Sequence, residues 1–89
     1  LTKGHGVVIY TKHALTVMDE RGILRQWVEA VLDHPDWSEA DATQDGVLFA
    51  FGRIADFGDR ILRVVYGKDP LGIRVITAFF DRGKKGPPQ

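Results

Sequence analysis

The stretch that organises the apolar pattern of the chain lies between Arg60 and Phe80. Arg60 to Tyr66 and Ile73 to Phe80 are both rich in β-branched and aromatic residues, the side chains that fit a pleated, half-buried surface. Between them, Pro70 presets the backbone of a turn and Gly72 tolerates its exit. A β-hairpin is predicted, central in its sheet because its arms are almost continuously apolar. Val47 to Asp56 is a second long apolar strand, with Phe57-Gly58 as a two-residue connection to Arg60. A turn that tight sets Asp56 against Asp59 and Arg53 against Leu62. Phe49, Phe51, Arg53, Leu62, Val64 and Tyr66 then share one face, and Leu48, Ala50, Gly52, Ile54, Ile61, Arg63 and Val65 the other.

Upstream, the period changes. Val7 to Tyr10 reads as a short edge strand, and Thr11 stands where a helix N-cap belongs. The helix it opens runs from Lys12 to Arg21, with Ala14, Leu15 and Met18 as its apolar stripe and Gly22 as its C-terminal stop. Leu24, Trp27, Val28, Val31 and Leu32 recur at helical spacing and predict a second helix from Leu24 to Asp33, ended by Pro35. Trp37 to Asp41 is a short strand candidate, followed by a polar turn from Ala42 to Gly46. The expected fold is α+β: two N-terminal helices packed on one face of an antiparallel β-sheet. Residues 1–82 form a single domain and 83–89 a basic flexible C-terminal tail. Two short helices cover only one face, so the other is expected to meet a partner chain, a ligand or the N-terminal strand.

Composition narrows the class. The 89 residues are 44% hydrophobic and 27% charged, without cysteine, which describes one globular domain with no disulfide or thiolate site. No apolar run approaches the roughly 20 residues of a membrane span. The start, Leu1 to Gly6, has neither Met nor the apolar core of a secretory signal, so a fragment or processed product and a cytoplasmic location are expected. Net charge is zero but unevenly spread: residues 36–59 carry one positive and six negative charges, residues 60–89 seven and two. The second block is either ordinary solvated charge or a basic face able to meet phosphate.

His5 and His34 lack ligand spacing, so no metal and no cofactor are expected. His13, in the first helical turn beside Lys12, is either a packing histidine or a general acid/base suited to proton transfer near neutrality. Arg63 interrupts an apolar strand. If Gly67 pairs with Ile73, it opposes Thr77, and it must reach either a carboxylate such as Asp19 or Glu20, or a phosphate. Arg21 could border a site with His13. Arg53 and Arg74 lie nearer strand ends and rank lower.

The order His13-Ala14-Leu15, Met18, Glu20-Arg21-Gly22-Ile23, then Leu62-Arg63-Val64-Val65 and Val75-Ile76-Thr77 resembles a small bacterial domain-of-unknown-function family. Its members open with "H-A-x-x-R-M-x-E-R-G-I" and end with "L-x-V-V … V-I-T-x-Y", and the resemblance spans residues 10 to 82. It departs at Val17, where the family often has Arg, and at Phe79 or Phe80, where Tyr is usual. That family is placed near the BrnT, RelE and ParE toxins of toxin–antitoxin pairs, whose fold is two helices on an antiparallel sheet. The resemblance implies a metal-independent endoribonuclease with His13 moving the proton and Arg63 and Arg21 on the phosphate. Lys12, Lys84 and Lys85 would tether the RNA. It equally admits a non-catalytic interaction domain of the same fold, binding an antitoxin, dimerising through the uncovered sheet face, or acting as ParE-like proteins do.

Overall fold

Extended Val7–Tyr10 (β1) passes into the helix Lys12–Arg21 (α1) at Thr11. The Thr11 Oγ1 accepts from the Ala14 N–H at 3.0 Å, as an N-cap should, and its hydroxyl donates to the Ile76 carbonyl at 3.1 Å. At the other end Gly22 adopts the left-handed conformation (φ 67°), and the Ile23 N–H returns to the Met18 carbonyl at 2.8 Å. The second helix, Arg25–Asp33 (α2), has no side-chain cap and is held by burial of Val28, Val31 and Leu32. Two residues of the predicted stripes, Leu15 and Leu24, are instead exposed. Among the described residues the remaining strands are Trp37–Ala40 (β2), Val47–Ile54 (β3), Arg60–Asp69 (β4) and Gly72–Phe80 (β5), and a 3₁₀ turn, Ala55–Phe57, follows β3. This computed structural model describes residues 6–83; the expected tail, apart from Gly83, lies outside them.

The five strands form one sheet in the order β1-β5-β4-β3-β2. It is mixed, which corrects the expectation of an antiparallel sheet: β1 runs parallel to β5, Val8 beside Ile73 and Tyr10 beside Val75. The parallel pairing is possible because α1, α2 and three strands intervene, far more chain than a hairpin needs. Both helices lie on one face. There Ala14, Met18, Val28, Val31 and Leu32 meet Ala50, Ile54, Leu62, Val64, Val75 and Ala78 in the main core. Full burial of Val28, Leu62, Val64 or Val75 contributes about 1.5–3 kcal/mol each.

Register is where the structure departs most from the sequence pattern. Strand β3 ends at Ile54, and a 3₁₀ turn followed by Gly58 and Asp59, both left-handed (φ 65° and 55°), carries the chain to Arg60. Because this connection is longer than the two-residue turn, Arg53 opposes Ile61 rather than Leu62, and Phe51 opposes Arg63. A slip of one residue reverses faces. Phe49, Phe51 and Arg53 therefore share the second face with Ile61, Arg63 and Val65, while Leu62, Val64 and Tyr66 turn to the helices. Between β4 and β5 the loop is Pro70-Leu71, so Gly67 pairs with Arg74 rather than Ile73, and a β-bulge at Ile76 adds a second step that sets Arg63 opposite Phe79 instead of Thr77. That shift of two leaves its face unchanged. The carbonyl of the bulged Ile76 is the one that Thr11 satisfies.

Gly52 is the point of closest approach between helix and sheet. A Cβ there would lie 2.9 Å from Val31 Cγ2, a methyl on a stiff β-branched side chain. Gly52→Val is expected to lower stability by about 1–3 kcal/mol through overpacking, read as a lower urea midpoint; an unchanged midpoint would mean that α2 does not seat on β3 as described.

Candidate functional site

Arg63 projects from the middle of the second face. Its guanidinium carbon lies 4.8, 5.0 and 5.2 Å from the ring centroids of Phe49, Phe51 and Phe79, within cation–π range. The Arg63 Nη2 pairs with Asp81 rather than with Asp19 or Glu20, while its buried Nε has no hydrogen-bond acceptor among the described residues. Trp37 stacks on Phe51 at 4.6 Å with the planes 5° apart. Phe51 is thereby buried, and Ile61 is buried on the same face, with neither helix over them. The face expected to need a partner is thus partly covered by its own arginine and aromatic rings, although Phe49, Val65, Thr77 and Phe79 stay half-exposed. At its margin the Asp41 carboxyl is held below its ordinary range, chiefly by the Thr43 N–H and hydroxyl, with Arg63 a smaller contributor.

His13 and Lys12 lie exposed in the first turn of α1, and Arg21 lies exposed in its last. All three sit on the helix side of the sheet, whereas Arg63 lies on the opposite side, so the structure does not bring His13 and Arg63 to one cleft. Lys84 and Lys85 fall outside the described residues. Also on the helix side, the Tyr10 hydroxyl donates to Glu29 Oε2 at 2.8 Å and Arg25 stands over its ring. Burial first, and then Glu29, raise its pKa. Among the described residues no group of three His, Cys, Asp or Glu side chains could hold a metal ion.

A cleft of about 470 Å³ opens where β3, β4 and β5 end together, lined by Arg53, Asp59, Arg60, Ile61, Phe80, Asp81 and Arg82. Three guanidinium side chains face two carboxylates, and Asp81 already pairs with Arg63. The floor is apolar, from Ile61 and Phe80. Next to it Arg60 also borders a second hollow with Asp56, Phe57 and Gly58, and Arg53 also borders a third with His34 and Asp36. Sequence reading ranked Arg53 low and passed over Arg60 and Arg82, because each stands singly at the end of a different segment. For Arg60 and Arg82 the available signal was the excess of positive charge over residues 60–89; strand ends converge only once register is known.

Because Arg63 covers three rings, Arg63→Ala is expected to cost about 2 kcal/mol or more of stability, by uncovering apolar surface and removing the ion pair with Asp81. Arg63→Met should recover the cover but not the ion pair, and so fall between. Equal thermal midpoints for all three proteins would show that the guanidinium holds nothing together.

Comparison with known protein families places most of the chain. Residues 10–80 fit the family described as a domain of unknown function, DUF4258. No curated protein and no solved structure matches the chain. The matched stretch runs from the end of β1 to the end of β5, and thus includes both helices, Arg53, Arg60 and the Arg63 layer. The chain belongs to the DUF4258 family.

Proposed function

We propose that this chain is the toxin-type member of a toxin–antitoxin pair and that it acts on RNA, which it grips by the phosphates. The observation that carries this reading is the cleft in which Arg53, Arg60 and Arg82 converge. Guanidinium groups suit phosphate oxygens by charge and by planar, paired N–H donors. The described residues end at Gly83, next to Arg82 of this cleft, and Lys84 and Lys85 follow directly in sequence. The resemblance to BrnT- and RelE-type toxins makes RNA the expected polymer.

Metal-independent cleavage requires a base for the 2′-hydroxyl, an acid for the leaving oxygen and cations at the phosphate. The cleft provides the cations. His13 stands away from it, whereas His34 lines the hollow that shares Arg53, so on this reading His34 takes the 2′-hydroxyl proton and solvent water protonates the leaving oxygen. The second reading, an interaction domain without catalysis, is favoured by the half-exposed Phe49, Val65 and Phe79 of the second face; an antitoxin segment would lie there.

Labelled RNA and the purified chain in EDTA test this directly. Binding should weaken steeply with salt, and Arg60→Ala or Arg82→Ala should reduce the log–log slope by about one each. Asp59→Asn, which removes a carboxylate from the rim, should tighten binding. His34→Ala should slow any cleavage by about 10²–10⁴-fold and His13→Ala should not. Absence of RNA binding, together with capture of the protein encoded beside this one, would replace the RNA reading with the interaction domain.

A further inference from the structure

The two hollows on either side of Arg60 differ in character. One is the arginine cleft; the other is walled by Phe57, Gly58 and Asp56. Phe57 is a large apolar side chain left 40% exposed on the 3₁₀ turn. One neighbour of its ring is Phe80, stacked at 4.6 Å with the planes 22° apart, and Trp27 stands 5.8 Å away. The Arg60 guanidinium lies over the Phe57 ring at 5.4 Å, on an exposed and flexible side chain. An aromatic ring braced from behind, with an arginine plane over it and further arginines beside it, provides a stacking platform next to an anion-binding groove. Proteins hold single-stranded nucleic acid with that pair of features.

We infer that this end of the sheet takes an unpaired nucleotide of a single strand, its base inserted between Phe57 and the Arg60 guanidinium and its flanking phosphates on Arg53 and Arg82. This rests on the RNA reading above and narrows it to single-stranded substrate. A base in a duplex is stacked on its neighbours and offers no free face, so duplex RNA is excluded. Every base has a π-face, so the site should tolerate any sequence. A free nucleotide has the same base and one phosphate, but lacks the further phosphates that reach the second arginine.

Trp27 is placed to report the event, and Trp37→Phe makes it the sole tryptophan. Titration with a short single-stranded oligouridine should change Trp27 emission to saturation. A duplex of equal length and uridine monophosphate should each require a much higher concentration. Phe57→Ala should raise the dissociation constant for the single strand by about tenfold or more, and Phe57→Tyr should leave it near the parent value. Arg60→Lys, which keeps the charge and loses the plane, should weaken it in part and does not depend on how Phe57→Ala folds. If the single strand binds, Arg82→Ala weakens it, and both Phe57→Ala and Arg60→Lys match the parent, the stacking site is overturned while the phosphate cleft stands. If neither strand binds at any salt concentration, both are overturned.

Discussion

The connection of Ala55–Asp59 constrains more of this molecule than any other stretch. Its 3₁₀ turn and two successive left-handed residues set the register between β3 and β4, and a pleated strand permits only alternate residues on each face. With this register, Leu62 and Val64 enter the core under the helices and Phe51 and Arg63 go to the other side. The same connection presents Phe57 and Arg60 at the open end of the sheet. Gly58 fits the left-handed backbone without cost, and Asp59 is among the few other residues that tolerate it. One short connection thus links the packing of the core to the composition of the candidate site.

The two faces solve the same problem by different means. Helices bury one in the usual way, with Gly52 allowing Val31 to approach. The other has no layer over it, and arginine takes the place of one: its guanidinium spreads over three phenylalanine rings while Asp81 balances the charge. Guanidinium is weakly hydrated and flat, so it can lie on apolar surface where ammonium would not. A single arginine in a strand therefore need not signal catalysis, and Arg63 is explained by what it covers. The arginines of the candidate cleft stand where the strands run out.

Local signals were legible and distant ones were not. Thr11 as a cap, Gly22 as a stop and the spacing of Trp27, Val28, Val31 and Leu32 each depend on neighbours within one or two helical turns, and they read correctly. The parallel pairing of β1 with β5, the bulge at Ile76 and the Arg63–Asp81 pair depend on residues far apart in the chain. No pattern within a single segment encodes them. The candidate cleft falls in the second class, since Arg53, Arg60 and Arg82 come from the ends of three strands. Arg60 and Arg82 were visible in the charge of the C-terminal third and Arg53 was not, and the meeting of the three was legible nowhere.

The most direct measurement is a map of amide chemical-shift changes on the isotope-labelled chain during titration with single-stranded RNA. Saturable shifts concentrated on Arg53, Phe57 to Ile61 and Phe80 to Gly83, fading as salt is raised, are the predicted result. Shifts centred instead on Lys12 to Arg21, or on Phe49, Val65 and Phe79 of the second face, would contradict it.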